Sequence, residues 1–593
     1  MSSPAGPEPL LSQNQGGVQG NGNGKPDGGK HKMRNQPIYA NRHMRVVCIG
    51  AGASGLYMAY KLKHYFTDFT LNIYEKNPQI SGTWFENRYP GCACDVPAHN
   101  YTYSFEPKWD WSANYASSRE IYTYFNDFAD KYGLREHIHC EHEVVGARWD
   151  EDNTEWAVDV RTTDGRRLQQ RCDFLINASG ILNNWRWPAI PGLHSFKGEL
   201  LHSAAWDDTV QLAGKRVGLI GNGSSGVQIL PEIQPVAAHL TTFIREPTWV
   251  CPTRGMEYHK YTDEEKQRFR DEPGVLLNVR KKKEETLARF FSVFVTGSAA
   301  QTMAVDYMRE QMKQKIGDAE LAQKLIPNFS IGCRRLTPGP NYLESLTLPN
   351  VTVVHGEIKE ITPDACITED GRTWPLDVLI CATGFDTTFQ PRFPVIGRGG
   401  KSLAAEWASE PRSYMGLAAH GFPNYFMFLG PNCPIANGPI IFAIELQGEY
   451  FARFLNRWQK EGLASIDPRR EAVDDFMAQK DAFMESSVWA SGCQSWYKDR
   501  KTGKVTALWP GSTPHYMEAL ASPRYDDFEI KYHGNRFAYL GNGFSQTELN
   551  PDLDVTYYIR EKDGGEPLFR SLQSTFNAKS LGDLLQAPPD LAI

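Results

Sequence analysis

At 593 residues, the chain is too long for one ordinary hydrophobic core, so we expect two or three domains. Its hydrophobic content of 41% is ordinary for a globular protein. The net charge of -7 argues against a nucleic-acid-binding protein, because phosphate binding needs a dense basic face. The sequence shows neither a secretory signal nor an apolar run of membrane-spanning length. We therefore expect no membrane partner and a cytoplasmic location.

The 11 cysteines show no disulfide framework and no C-x-x-C pair. Cys92 and Cys94 are separated by one residue, which is poor spacing for a metal site or a redox dithiol. We therefore expect a reducing compartment and no bound metal.

The N-terminal 43 residues are rich in Gly, Asn, Gln, Ser and Pro. A segment of this composition buries too little apolar surface to fold, which predicts a disordered tail over residues 1–43.

A strand–glycine–helix pattern follows the tail. A β-branched run predicts a buried strand at 44–49, followed by a helix at 56–64 and a second strand at 71–74. The turn has G-x-G-x-x-G spacing and is formed by Gly50, Gly52 and Gly55. Such a turn brings the backbone close to a pyrophosphate and points a helix N-terminus at it. Glu75 lies about 20 residues after Gly55, the position of an acid that binds ribose hydroxyls.

The pattern recurs downstream. We predict a strand at 215–220, a second glycine turn at 221–226 and a further strand at 240–244. The strand ends at Arg245, and a cation there suits the 2′-phosphate of NADP. The sequence therefore predicts FAD in the first fold and NADP in the second. Glu246 would oppose a phosphate if it pointed inward. The residues expected to bind NADP around the second turn are Asn222, Gly223, Ser224, Ser225, Gly226, Val227 and Gln228.

These elements predict an α/β protein with two Rossmann-like dinucleotide-binding domains, the NADP domain being inserted in the FAD domain. Strands at 351–355 and 378–382 would complete the second sheet. A charged, helix-favouring stretch at about 261–324 predicts a helical insertion, with the run 280–285 on an exposed helix face. The predicted boundaries are an FAD-binding part at 44–209, an NADP-binding domain at 210–384, and a second FAD-binding part with a C-terminal cap at 385–593.

Two longer motifs are more specific. Residues 196–207 fit F-x-G-x-x-x-H-x-x-x-W-[P/D] at every fixed position. Residues 82–95 fit [A/G]-G-x-W-x-x-x-x-[F/Y]-P-[G/M]-x-x-x-D, except that Ser81 replaces the first small residue. At these motifs the chain resembles the type I Baeyer–Villiger monooxygenases, a branch of the class B FAD- and NADPH-dependent flavoprotein monooxygenases.

The resemblance implies roles for several residues. The flavin would be lined by Thr83, Trp84, Phe85, Glu86, Asp95, Val96 and Tyr101, and the NADP site would be bordered by Ala93, Cys94 and Asp95. Residues 332–335 resemble the family's segment of paired basic residues, in which Arg335 would be the active-site arginine. Arg334 stands where the family usually has lysine and would help hold the 2′-phosphate. Residues 495–497 resemble a mobile loop whose tryptophan, here Trp496, closes over NADP.

The resemblance also implies a reaction. One oxygen atom from dioxygen would be inserted into a ketone through a flavin C(4a)-peroxide, giving an ester or lactone. Arg335 would stabilise the anions that form, and Asp95 would position it. A bulky, polycyclic or secondary-metabolite ketone is compatible with the resemblance.

Three alternatives stay open. The same flavin chemistry could oxidise nitrogen or sulfur, or hydroxylate a substrate. A disulfide reductase would also bind both cofactors, but it needs a reactive cysteine pair near the flavin, and none is visible in the sequence. The third alternative is a catalytically silent flavoprotein that acts as a binding module.

Overall fold

The computed structural model describes residues 33–250 and 255–559. The strands are β1 (Met44–Ile49), β2 (Phe69–Tyr74), β3 (Ile138–His139), β4 (His142–Asp150), β5 (Glu155–Thr162), β6 (Arg167–Cys172), β7 (Phe174–Asn177), β8 (Glu199–His202), β9 (Arg216–Ile220), β10 (His239–Ile244), β11 (Val351–His355), β12 (Ile358–Ile361), β13 (Ala365–Thr368), β14 (Thr373–Pro375), β15 (Val378–Cys381), β16 (Val395–Ile396), β17 (Tyr425–Met427), β18 (Leu463–Pro468) and β19 (Phe528–Tyr532).

The helices are α1 (Ala53–Tyr65), α2 (Thr83–Glu86), α3 (Ser118–Lys131), α4 (Ser224–Ile233), α5 (Asp263–Asp271), α6 (Val275–Arg289), α7 (Ala299–Ile316), α8 (Ala319–Leu325), α9 (Tyr342–Ser345), α10 (Leu403–Glu406), α11 (Ile440–Glu461), α12 (Arg470–Glu485), α13 (Thr513–Ala519) and α14 (Gln546–Leu549). Among the helices of the described chain, none combines the length and apolar character needed to cross a bilayer.

The first sheet has the strand order β17-β7-β1-β2-β3, and all of its pairings are parallel. Its central strand, β1, is buried along nearly its whole length, as expected for a parallel strand covered on both faces. The edge strand β17 comes from far downstream, after the second fold. The chain therefore leaves the first sheet after β7 and returns to complete it, as an inserted domain requires.

The second sheet has the order β11-β10-β9-β15-β8, again with parallel pairing throughout. Its edge strand β8 pairs with β15. This strand lies within residues 44–209, the range predicted for the first FAD-binding part. The predicted boundary at residue 210 is therefore too late. The error has a physical cause. The partner of β8 lies almost 180 residues further along the chain, since His202 pairs with Cys381, and local sequence cannot show this pairing.

The two connections between the sheets run side by side. Trp185 and Phe385 form an antiparallel bridge, and the backbone N–H of Asp386 donates to the carbonyl of Asn184 at 2.7 Å. The ring of His202 stacks on Trp185 with 4.5 Å between ring centroids. The histidine of the first long motif thus lies where the chain crosses between the two folds.

Helices α5 to α8 form the helical insertion, between β10 and β11. Its charged run is only partly exposed. Lys281 and Lys282 face solvent, but Arg280 is buried and donates to the carbonyl oxygens of His99 at 2.9 Å and Ser104 at 3.0 Å. The prediction of an exposed face is wrong for Arg280, because distant backbone carbonyls satisfy its guanidinium.

The described part of the predicted tail, residues 33–43, contacts the far end of the chain. The backbone N–H groups of Ile38 and Tyr39 donate to the carbonyls of Phe544 and Tyr539, each at 3.0 Å. The guanidinium of Arg42 lies 3.3 Å from the centroid of the Trp458 ring. Disorder is therefore a wrong prediction for residues 33–43, and the prediction for residues 1–32 falls outside the described chain.

Candidate active site

A cavity of about 670 Å³ lies between the two folds and is lined by parts of both glycine turns. The predicted site residues in its wall are Gly50, Gly52, Glu75, Thr83, Trp84, Ala93, Cys94, Asp95, Val96, Tyr101, Ser224, Ser225, Gln228, Arg335 and Trp496. The other predicted residues lie outside this wall: Gly55, Phe85, Glu86, Asn222, Gly223, Gly226, Val227, Arg245, Glu246 and Arg334.

The first glycine turn is shaped by backbone contacts that leave no room for side chains. Gly50 has a φ of +100°, and a Cβ there would lie 2.8 Å from the carbonyl oxygen of Ala178. A Cβ on Gly55 would lie 2.0 Å from the carbonyl oxygen of Gly50. Gly52 precedes α1, so the N-terminal N–H groups of this helix are left for a ligand rather than for a capping side chain. The turn fits a pyrophosphate.

Glu75 follows β2 and is 4% exposed. Its carboxylate accepts from the backbone N–H groups of Ala51 and Asn77, both at 2.9 Å. Burial raises the pKa of Glu75, and these two hydrogen bonds oppose the shift. An anchored carboxyl group in the cavity wall beside the turn fits the hydroxyls of a ribose, as FAD requires.

The second glycine turn repeats this construction. Gly221 has a φ of +105°, and a Cβ on Gly226 would lie 2.0 Å from the carbonyl oxygen of Gly221. A Cβ on Gly223 would meet no atom of the described chain within 4 Å. Gly226 therefore allows α4 to approach the sheet closely, whereas Gly223 borders open space. Val227 is buried in the core of the second fold.

Two arginines and one acid lie beyond the second turn. Arg245 is exposed and donates to the side-chain oxygen of Gln494 at 3.2 Å. Arg334 forms an ion pair with Glu246 and donates to the backbone carbonyl of Gln494 at 2.5 Å. Burial lowers the pKa of Arg334, and Glu246 acts in the opposite direction. Arg334 thus compensates Glu246, and Arg245 supplies a further cation, which fits a phosphate monoester.

Arg335 and Asp95 form a bidentate ion pair. Arg335 Nε lies 2.7 Å from Asp95 Oδ2, and Nη2 lies 2.8 Å from Oδ1. Arg335 Nη1 also donates to the carbonyl of Ala436 at 3.4 Å. Burial alone would lower the pKa of Arg335, but the Asp95 carboxylate outweighs it and the pKa lies above its ordinary value. The side chain stays 28% exposed, so a fixed cation faces the cavity.

Gln228 connects the two folds at the cavity. Its side-chain amide donates to the carbonyl of Ala93 at 2.9 Å and accepts from the hydroxyl of Tyr89 at 2.8 Å. The helix that follows the second glycine turn is thus tied to the segment expected to line the flavin.

The structure adds residues that the sequence analysis missed. Tyr497 is buried beside Arg335, and burial raises its pKa to about 12 while the arginine opposes the shift. A stretch of the wall between Phe385 and Pro394 follows the second crossing between the folds. Tyr497 belongs to a segment already singled out for Trp496, whereas the 385–394 stretch carries no motif.

Cys333 and Cys493 form a disulfide. This pair is an exception to the expected absence of a disulfide framework, but neither cysteine lies in the cavity wall, so the absence of a reactive pair near the flavin stays a prediction. The two residues are separated by 160 positions, so no local spacing could reveal them. Within the described residues, the structure contains no cluster of three or more His, Cys, Asp or Glu side chains that could hold a metal ion.

Comparisons with known proteins identify the family. The family model for flavin-binding monooxygenase-like proteins matches residues 43–264. The chain is 41% identical to the FAD-binding monooxygenase tazF of Aspergillus terreus over 540 residues, which cover 88% of this chain and 96% of that protein. It is 34% identical to a Baeyer-Villiger monooxygenase of Streptomyces coelicolor over 503 residues, covering 83% and 93%.

Solved structures share the fold. The structure of OTEMO in complex with FAD and NADP has 28% identity and a TM-score of 0.72, and the match covers 83% of this chain and 100% of that chain. Oxidised steroid monooxygenase bound to NADP has 30% identity and a TM-score of 0.71, with the same coverage. FAD and NADP are therefore the cofactors, and the chain belongs to the type I Baeyer–Villiger monooxygenase family of FAD- and NADPH-dependent flavoproteins.

Proposed function

We propose that this monooxygenase inserts one oxygen atom of dioxygen into a ketone and so produces an ester or a lactone. The observation that carries the proposal is the Arg335 guanidinium, held by Asp95 in the wall of the cavity that also contains the first glycine turn. A solved relative, cyclohexanone monooxygenase, is named for a ketone and is 29% identical to this chain.

The bound flavin supplies the reaction with dioxygen, and the protein supplies geometry and electrostatics. Arg335 cannot lose its proton at ordinary pH, so it provides a permanent positive charge. Attack on a carbonyl group places negative charge on the carbonyl oxygen. A preorganised cation in a partly desolvated site stabilises that charge without reorganisation.

Asp95 acts by positioning. Its two carboxylate oxygens hold Nε and Nη2 of Arg335, which fixes the plane of the guanidinium. The N–H groups of Arg335 that point neither at Asp95 nor at the carbonyl of Ala436 stay available to a ligand. Tyr497, buried next to the same guanidinium, limits access of water to it.

The test is a substrate panel under isotopically labelled dioxygen, with cyclic and aryl ketones, thioethers and tertiary amines. We expect ketones to give products that have gained one labelled oxygen atom in an ester linkage, with NADPH consumed in equal amount. Reactions without NADPH, or with catalase added, control for free peroxide. Labelled sulfoxides or N-oxides in the absence of any ester would favour heteroatom oxidation, and NADPH consumption that yields only hydrogen peroxide would contradict the proposal.

We expect NADPH to be preferred over NADH, and Arg245→Ala to reduce this preference by about tenfold. A charge-assisted contact contributes about 1.5–3 kcal/mol, and the exposure of Arg245 places it at the lower end. Stopped-flow measurement of flavin reduction by each nucleotide gives the ratio. Arg309→Ala removes an arginine from the exposed face of α7 and serves as control. An unchanged ratio in Arg245→Ala would show that Arg334 alone recognises the phosphate.

A further inference from the structure

The Cys333–Cys493 disulfide lies within the cofactor-binding region. Cys333 immediately precedes the two arginines, and Cys493 begins the segment that leads to Trp496 and Tyr497. The two Cα atoms are 6.2 Å apart, within the range that a disulfide spans. The bond therefore joins the segment that carries Arg334 to the loop that carries Trp496.

Polar contacts already hold these two segments together. Arg334 donates to the carbonyl of Gln494, and Arg245 donates to the side chain of the same residue. Lys498 Nζ donates to the carbonyl of Cys493 at 3.1 Å. Because none of these three contacts involves a sulfur atom, we expect them to persist on reduction and to keep the two cysteines close enough for the bond to form again.

The surroundings of the pair favour thiol chemistry. Lys498 Nζ lies 3.6 Å from Cys333 Sγ, and a cation beside a sulfur favours the thiolate, which is the reactive form. Burial raises the pKa of two other cysteines, Cys48 and Cys433, to about 12. Cys333 is fully buried and Cys493 is 6% exposed, but exposed Gly492 and Gln494 flank Cys493, so we expect a reagent to reach Cys493 first.

We propose that Cys333 and Cys493 are a reversible redox modification site, oxidised by a peroxide and reduced by a dithiol, that controls the loop over the NADP site. One thiol loses its proton, and its thiolate attacks a peroxide oxygen; the O–O bond breaks, a sulfenic acid forms, and the departing hydroxide takes up a proton to become water. The second thiol also loses its proton, and its thiolate attacks the sulfenic sulfur; the S–O bond breaks, the disulfide forms, and the second hydroxide likewise leaves as water. Two thiols are thus oxidised by two electrons while hydrogen peroxide is reduced to two waters. A dithiol reverses the bond by exchange and becomes a disulfide itself.

Oxidation covalently restricts the loop of residues 491–498. Trp496 of this loop lies in the cavity wall, and Arg245 and Arg334 donate to its Gln494, so we expect the tethered loop to slow the release of NADP. The oxidised protein therefore holds NADP more tightly and turns over more slowly than the reduced protein. By thermodynamic linkage, a bond that stabilises the closed position of the loop also raises the affinity for a ligand that binds to the closed loop.

The first measurement is chemical. Purified holoenzyme is reduced with dithiothreitol, desalted and treated with hydrogen peroxide, and its cysteines are mapped by differential alkylation and mass spectrometry. We expect a peptide linked through Cys333 and Cys493, which a second reduction removes. Cys493→Ser and Cys333→Ser abolish the link, while Cys366→Ser, at a free cysteine in β13, preserves it.

The second measurement is NADP⁺ binding, by titration and by stopped-flow displacement, in oxidised and reduced wild-type protein. We expect binding to be roughly threefold tighter or more when the disulfide is present. This difference should vanish in Cys493→Ser and persist in Cys366→Ser.

The proposal is overturned if peroxide forms no Cys333–Cys493 link, or if oxidised and reduced wild-type protein bind and release NADP⁺ equally. The wild-type comparison needs no variant, so a misfolded serine variant leaves the test intact. Neither readout uses a ketone, and failure of the proposed oxygen insertion would therefore be seen separately.

Discussion

Arg335→Ala is expected to accept hydride from NADPH at close to the parent rate, while oxygenated product falls by about 10²–10³-fold. Removal of one preorganised charge-stabilising group typically has an effect of this size on the chemical step. We expect the two steps to separate because Arg335 lines the cavity and pairs with Asp95, which belongs to the segment expected to line the flavin, whereas Arg334 pairs with Glu246 beyond the second glycine turn. Stopped-flow absorbance follows flavin reduction, and mass spectrometry follows the product.

Two related variants sharpen this test. Arg335→Lys keeps the charge but loses the planar fork that Asp95 holds, so we expect only partial rescue. Asp95→Ala should act in the same direction more mildly, and its effect should not add to that of Arg335→Ala, because both act on one guanidinium.

The matched control is Arg216→Ala. Arg216 forms an equivalent bidentate pair with Asp377, through Nη2 at 2.7 Å and Nε at 3.2 Å, at the start of β9, the central strand of the second sheet. This variant should retain product formation. Parent-rate product from Arg335→Ala would mean that another group stabilises the developing charge.

Valine substitutions in the second glycine turn are expected to separate folding from NADP binding. In Gly226→Val, the new Cβ would lie 2.0 Å from the carbonyl oxygen of Gly221, and a backbone atom cannot rotate away. Overpacking of this kind costs about 1–3 kcal/mol or more. We expect a Tm lower by several degrees and no reduction of the flavin by NADPH.

Gly223→Val should behave differently. Gly223 has a φ of -74° and a ψ of -175°, which valine adopts readily, and its Cβ would meet open space. We expect an unchanged Tm but NADP⁺ affinity reduced by about tenfold or more, because the added methyl groups occupy the space where the backbone would approach the pyrophosphate. Differential scanning fluorimetry and NADP⁺ titration measure the two effects. Similar Tm values for both variants would show that α4 can move away from the turn.

Local sequence pattern predicted several strands of the two parallel sheets well. The bounds of β1 and β11 agree with the predicted ranges, because each is a β-branched run that changes character at its ends. Arg335 and Asp95, which only the family resemblance suggested, lie together in the structure although they are 240 positions apart in sequence. No periodicity or spacing could have paired them.

The wrong predictions share one cause. Arg280 and residues 33–43 have compositions typical of exposed chain, but their partners lie far away in sequence. The cysteines of the disulfide are also far apart in sequence. So are Glu246 and Arg334, an ion pair that bears on the conditional expectation for Glu246 without contradicting it. Local composition and spacing reflect only a residue's neighbours in sequence, whereas these partners are brought together by the fold.

The strand β17 is translated long after the other strands of the first sheet, and this order has a consequence for biosynthesis. All strands of the second sheet lie between Glu199 and Cys381, so this sheet can form before the ribosome has made Tyr425. Until then the nascent chain exposes the unpaired backbone edge of β7, and such an edge readily pairs with other chains. The first glycine turn is translated first, but the sheet that supports it is among the later parts to be completed.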